Sequence, residues 1–543
     1  MVTKIFNIIK KFKIELLVVI FFVLVRLPLL GHDIFNTDVW KWKARTYDFG
    51  TGVFTLNFEK TIQKYHPGVS LMWIGTSAVK VFNVYSQFIN PGLSNANNIQ
   101  AVFGLHFTQK LFLVTFIGFV VANIFYVIKN LFDTKTALVL TSLLILEPFY
   151  IALTRVFHLE GLMSTCMIAS ALWLYWFIKE NKFYKLIFAA VFTGIAVLTK
   201  TSALYMLPFT VLMLFSSSFS KTKKVGKSIK IFTKELLIWV GLVCLSIFVF
   251  WPALWTNFSE AISTVYRGIA VIGIERDHMQ LFMGEIVSDP GPLYYFVILA
   301  LRSSVFLIIG LFLSILLFKK YETDKKIFSL YFFIFAAYYL IEITIPAKKL
   351  DRYILPSLMS LSLIAGLAFN EVFLRSKVAF KKFFPCMLLV LLTNLFLYHP
   401  NYLAYYNPIF GGLKKGIFMI EPKWMIGQNK IVKYFEKVQE EEGLEQTFDK
   451  SFEEIISEKS EGKYLTVGFQ EKYYTQVWPF IREFGGWAVI KDLTPFAEKT
   501  RYFVYPVWND DSDLEDRFPL KYKDSIMLKG VTLYRVYERE MNL

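Results

Sequence analysis

The sequence predicts a polytopic α-helical membrane protein of about eleven transmembrane helices, followed by a small C-terminal extracytoplasmic α/β domain. Three observations carry this. The 543 residues are 55% hydrophobic and only 19% charged, where a soluble chain would carry far more charge. Long apolar runs recur, separated by short Lys-rich loops. The composition then changes after His399, where charge rises and the apolar runs shorten.

A spanning helix needs about 20 mostly apolar residues. Runs of that kind cover 13–31, 103–128, 136–153, 158–178, 185–199, 202–218, 235–251, 292–318, 327–345, 353–374 and 383–398. The first run is broken by Arg26-Leu27-Pro28 and lacks a small-residue cleavage site, so it reads as a retained span. Segment 68–86 is a further candidate. It is short and contains Lys80, which suits an interfacial or re-entrant segment better.

Sidedness follows from Lys and Arg. With the N-terminus (Lys4, Lys10, Lys11, Lys13) in the cytoplasm, every alternate loop is basic, including Lys221–Lys234, with Lys223 among its lysines, and Arg375–Lys382. That explains much of the formal charge of +16 without nucleic acid. A complete crossing by 68–86 would break the alternation. Three regions then face outward on a plasma-membrane protein: loop 32–102, loop 252–291 and the tail 399–543. Residues 1–398 form the membrane domain and 399–543 the soluble one. In the tail, Lys430–Glu442 reads as an amphipathic helix. Segments beginning at Tyr464, Arg501 and Val531 read as strands by their alternation and their β-branched and aromatic content. Cys166, Cys244 and Cys386 lie in apolar runs with no metal-ligand spacing.

The outward side holds polar residues that sidedness does not explain. In the first loop, Asp38 and Arg45 are seven apart and share a helix face, with Tyr65-His66-Pro67-Gly68 further on. An acid beside the membrane with cations nearby can activate a hydroxyl next to a phosphate. The plainer reading is an interfacial helix with Trp40 and Trp42 at headgroup level. Arg155, His158 and Glu160 lie between two apolar runs with almost no loop, and charge at that depth usually marks a site. Snorkelling is the alternative. Lys348, Lys349 and Arg352 form a basic cluster on the side that should be poor in cations, and Lys200 is a further outward cation. Arg can grip a phosphate bidentately and Lys acts as a point charge. Arg26 suits packing or snorkelling. Glu275, Arg276, Asp277, His278, Glu285 and Asp289 in loop 252–291 suit either a cover over the site or a solvated loop. Phosphate-binding Gly loops, HExxH and GxSxG are absent.

In order along the chain, these segments resemble the protein O-mannosyltransferase-like branch of the GT-C glycosyltransferases, a group that includes the aminoarabinose transferases. The matching segments are Asp38–Arg45, Tyr65–Trp73, Arg155-Val-Phe-His158-Leu-Glu160, Leu198-Thr-Lys200-Thr-Ser, Lys349-Leu-Asp-Arg352-Tyr-Ile-Leu-Pro356, Tyr402-Leu-Ala-Tyr-Tyr-Asn407-Pro408 through Gly412, and Gly530–Tyr537. The resemblance implies a polyprenyl-phosphate sugar donor and transfer to a hydroxyl on the extracytoplasmic face. It implies inversion at the anomeric carbon, with no nucleotide sugar. No metal or other cofactor is expected, because the outward cations can neutralise the leaving phosphate. Asp38 is the implied catalytic base. The family usually has Asp-Glu there, whereas this chain has Asp38-Val39, which brings in Glu160 or His66 as helpers. Lys349, Arg352, Lys200 and Arg155 are the implied donor-phosphate ligands. Arg45, Tyr65, His158 and Asn407 are the expected substrate contacts. Where many prokaryotic relatives carry a Gly-Trp-Gly-Glu-Gly-like stretch, this chain reads Glu421-Pro-Lys-Trp424-Met-Ile-Gly427, so a different acceptor preference is expected. Two rivals share the topology. A flippase for lipid-linked saccharides would move donor without forming a glycosidic bond. A scaffold would recruit partners through its tail. Sugar, acceptor (protein Ser/Thr, lipid or glycan) and oligomeric state stay open.

Overall fold

The structure is a computed structural model and describes residues 11–94, 98–222, 224–270, 279–373, 377–455, 457, 462–491, 493, 497–509 and 520–539. Lys4, Lys10, Lys223, Arg375 and the quartet Glu275, Arg276, Asp277 and His278 lie outside the described residues.

Among the described residues, seven helices are long and apolar enough to cross a membrane, or up to nine if two bent pairs each count as one span. The protein is therefore a multi-pass membrane protein. The expected count of eleven is not confirmed among the described residues, where two of the runs are shorter helices, Lys13–Arg26 and Phe183–Thr199. Two other expected spans, 136–153 and 292–318, are broken. Thr134–Ile145 and Pro148–Thr154 meet at 68°, and Tyr294–Arg302 meets the helix that follows at 111°.

Both breaks have local causes. Pro148 occupies the first helical position after Glu147, where its missing N–H costs nothing. Ser304 caps the next helix, Val305–Leu317, by accepting from the Leu307 N–H at 3.1 Å. The two breaks also meet. The Ser304 N–H and hydroxyl each donate to the Glu147 carboxylate at 2.7 Å. Arg26 is buried at the first break, donating to Thr154 Oγ1 at 2.7 Å and the Ile145 carbonyl at 3.2 Å. That carbonyl is one that a terminating helix leaves without a partner.

Segment 68–86 forms the helix Val69–Phe88, which packs on Val39–Phe54 and Ile99–Leu131 and is not among the membrane-crossing helices. The bundle centre is Leu159–Glu180 and Asp351–Phe373, whose most apolar stretches are each 94% buried. Glu160 and Arg352 sit at the starts of these two helices.

A two-stranded hairpin, β1 (Gln280–Phe282) and β2 (Glu285–Val287), lies in the loop after the helix Phe258–Ala270. The tail carries a five-stranded sheet of β3 (Thr466–Phe469), β4 (Trp487–Ile490), β5 (Tyr502–Pro506), β6 (Leu520–Leu528) and β7 (Val531–Arg539), in the order β4-β3-β5-β7-β6. The β3 strand is parallel to β4 and β5, and β7 is antiparallel to β5 and β6. The expected amphipathic helix is Gln428–Glu441. A second helix, Glu471–Glu483, packs against β4 and against the helix Ile99–Leu131. The stretch between His399 and Gly427 runs back along the membrane domain. Asn407 donates to the Ser303 carbonyl at 2.9 Å, and Arg302 donates to the carbonyls of Leu403 and Tyr405 at 2.8 and 3.0 Å.

Candidate active site

Four separate stretches bring charge to one place. Glu160 is buried near the N-terminus of Leu159–Glu180, where the helix dipole favours an anion. Its Oε1 accepts from Lys200 Nζ at 3.0 Å and Arg352 Nε at 3.1 Å, and its Oε2 meets His158 Nδ1. The other ring nitrogen of His158 lies 3.4 Å from Asp38 Oδ2. Asp38, His158 and Glu160 thus form one chain, with Lys200 and Arg352 at its inner end. A buried carboxylate is tolerable here because cations surround it.

Local structure aims each group. Asp38 precedes the helix Val39–Phe54, and its N–H donates to Asn36 Oδ1 at 2.9 Å. The Asn36 amide reaches the Phe157 carbonyl at 3.5 Å, so one residue holds Asp38 beside the His158 segment. Lys200 ends the helix Phe183–Thr199, its amine 3.9 Å from the Tyr353 ring centroid. Burial pushes the Asp38 pKa up, but the hydrogen bond and charge of His158, then Arg352 and Lys41, outweigh it. The carboxyl is held well below the ordinary range.

The other expected residues divide into two groups. Close to the chain are His66, Tyr65 and Arg45. His66 Nδ1 lies 3.3 Å from Thr201 Oγ1, and burial followed by the Lys200 charge lowers its pKa to about 3, so the ring is neutral. Tyr65 packs on His66 at 4.6 Å between centroids, and the Arg45 guanidinium sits 4.7 Å from the Trp42 ring.

Three residues are engaged elsewhere. Arg155 donates to Asp33 at 2.8 and 3.0 Å, to the Pro28 carbonyl at 2.8 Å and to the Arg26 carbonyl. All its nitrogens are occupied in holding the first loop to the bundle. Lys349 contacts Asp289 at 2.7 Å and the Pro346 carbonyl at 2.8 Å rather than Glu160. Asn407 caps a short turn and bridges to the Ser303 carbonyl. The four cations expected at the donor phosphate thus have different partners: Lys200 and Arg352 share the Glu160 carboxylate, Lys349 meets Asp289 and Arg155 meets Asp33.

Several contributors escaped the sequence reading. Trp424 packs edge-on to His158 at 5.2 Å and lies 4.9 Å from the Arg352 guanidinium. Arg302 and Asp351 pair at 2.7 Å beside Arg352. Asp33 pairs with Lys110 as well as Arg155. The signals were an Arg inside the apolar run 292–318 and an unusual Trp in the Glu421–Gly427 stretch. Among the described residues, no three His, Cys, Asp or Glu side chains converge as a metal-ligand set.

A family comparison overlaps part of this centre. Residues 99–251 match the family model of dolichyl-phosphate-mannose-protein mannosyltransferase. The matched stretch holds Arg155, His158, Glu160 and Lys200, and it leaves Asp38, His66 and Arg352 outside. It bears out the family resemblance read from the sequence and supports the class of membrane glycosyltransferase. No curated protein sequence matches the chain. Solved structures that are similar include ArnT from Cupriavidus metallidurans in the apo state, at 12% identity over 91% of this chain and 92% of that one, TM-score 0.43. The same protein bound to undecaprenyl phosphate matches at 14% identity over 96% and 97%, TM-score 0.42. The apo oligosaccharyltransferase of Archaeoglobus fulgidus matches at 10% identity over 91% and 69%, TM-score 0.41. Values this low describe a loose likeness in the course of the chain and no more.

Proposed function

We propose that this protein transfers a sugar from a polyprenyl-phosphate donor to a hydroxyl acceptor, with inversion, on the extracytoplasmic side of the membrane. The observation that carries the reading is the chain from Asp38 through His158 to Glu160, ending on Lys200 and Arg352. It gathers the Asp38 carboxylate and two cations around His158 and Glu160, beside the starts of the two most buried spans.

In this reading the acceptor hydroxyl hydrogen-bonds Asp38. Its oxygen attacks the anomeric carbon as the bond from that carbon to the phosphate oxygen breaks, and Asp38 takes the hydroxyl proton. His158 makes Asp38 a weak base, which suits a hydroxyl whose acidity rises as it attacks. The departing phosphate gains negative charge, which Lys200 and Arg352 offset in surroundings of low dielectric. Arg352 carries an additional aromatic contact from Trp424. An apolar groove lies between the second bent pair and Thr323–Thr344, lined by Tyr295, Leu311, Ile315, Phe333 and Leu340. A prenyl chain fits its chemistry, and the groove's Ile345 is followed within seven residues by Arg352.

The test is transfer by purified protein in vesicles, using a panel of prenyl-phosphate hexoses and pentoses with hydroxyl acceptors. The expected product is a new glycosidic bond with the anomeric configuration opposite to the donor's, read by NMR. Movement of labelled donor across the bilayer with no new bond would select the flippase instead.

A further inference from the structure

We infer that the helix Phe258–Ala270 lies in the membrane surface, with one side embedded in the leaflet next to the site. This rests on the arrangement of its side chains and is independent of the proposed reaction. At 3.6 residues per turn the helix has three faces. Phe258, Ile262, Tyr266 and Ile269 share one arc, and all are exposed, from 44% to 68%. Glu260, Ser263, Thr264 and Arg267 share a second arc that is polar. Ala261, Val265 and Gly268 form the third, which faces protein. Ala261 and Val265 pack in a cluster with Phe49, Val69 and Leu198. Gly268 lies flush on Tyr65, since a Cβ there would come 1.9 Å from that of Tyr65.

An apolar arc set beside a protein-facing arc, with a polar arc completing the circle, is what a helix needs when protein, acyl chains and water each meet one side. The surroundings fix the level. The span Val225–Phe250 ends eight residues before Phe258. Three indoles gather at that end: Trp255 donates to the Phe248 carbonyl at 2.7 Å, Trp73 to the Phe250 carbonyl at 2.7 Å and Trp251 to the Thr61 carbonyl at 3.2 Å. Tryptophans concentrate where headgroups meet acyl chains, so the helix begins at that depth. Tyr65 rests on this helix and His66 follows it, so the lipid surface sets the height of both.

Single nitroxide labels test this in full-length protein whose Cys166, Cys244 and Cys386 have been replaced by Ala. The protein is reconstituted in vesicles of phosphatidylethanolamine and phosphatidylglycerol. Labels at Phe258→Cys, Ile262→Cys, Tyr266→Cys and Ile269→Cys should collide readily with oxygen and poorly with a water-soluble nickel chelate. Labels at Glu260→Cys, Ser263→Cys and Arg267→Cys should show the reverse, and the pattern should repeat every three to four residues. Equal access of the nickel chelate to both arcs would put the helix in water and overturn the inference. Shielding of the first arc from both reagents would mean that a protein surface covers it, which overturns it too. Circular dichroism of each variant guards against reading an unfolded chain.

Discussion

Replacing Asp38 with Asn should separate catalysis from folding. Asn keeps the shape but cannot take a proton. Loss of a positioned general base costs about 10²- to 10⁴-fold in rate, or roughly 3–5 kcal/mol of barrier. The cost to stability is small by comparison. The Asp38 side chain is 31% exposed and its His158 contact is 3.4 Å long, so about 1 kcal/mol is expected. For a chain of this size that is a change in Tm of about 2 °C or less. The assay is initial rate of transfer from a prenyl-phosphate sugar to a hydroxyl acceptor, with Tm measured on the same preparation. Full transfer by a folded Asn variant would refute the assignment of Asp38 as base. The wild-type rate should also show no Asp38 limb between pH 5 and 8. Its folded pKa is depressed, so it loses its charge only well below the ordinary carboxylate range.

Glu160→Gln should behave differently: it leaves His158, Lys200 and Arg352 facing a neutral amide, and breaking a buried ion pair costs about 3–5 kcal/mol, so Tm should fall far more than in Asp38→Asn; equal shifts in the two variants would contradict the burial argument. Arg155→Met should lower Tm, because Asp33 loses a buried partner, while any folded fraction keeps an unchanged KM for donor; a large rise in KM would return Arg155 to the phosphate site. His66 gives a pH signature. Its folded pKa of about 3 lies below the ordinary value near 6.5, so the unfolded chain binds the extra proton and stability falls as pH drops from about 6.5 toward 3. His66→Gln should flatten that part of the profile of Tm against pH, and an unaltered slope would assign the sensitivity to another group.

Much of this was legible because it depended on local patterns. Apolar run length located the spans, and the same rule exposed Lys200 and Arg352 as cations in an unexpected place. His158 and Glu160 stood out for lack of any loop to hold them. What sequence did not reveal was partner choice. Asp33 and Lys110 are 77 residues apart, and Arg302 and Asp351 are 49 apart; no period or spacing links such pairs. Lys349 and Arg352 look like one cluster at three residues apart, yet backbone direction sends them to Asp289 and Glu160. The broken helices were missed because hydropathy averages over a window. A Glu-Pro step and a Ser-Ser step inside apolar runs hardly move the average, although each is a cap signal. Strands β4 and β6 were missed for opposite reasons. The Trp487–Ile490 strand has only four residues, and Leu520–Leu528 is too polar to announce itself.

The contact between Glu147 and Ser304 has a consequence for how this chain can vary. Neither kink is an independent unit. Straightening the first helix would withdraw the carboxylate and strand the Ser304 N–H in an apolar interior, and straightening the second would strand the carboxylate. Drift at either position is therefore viable only with compensating drift at the other. A chimaera that inherits 134–154 from one relative and 294–320 from another should fold only when both parents carry a compatible donor and acceptor at that junction.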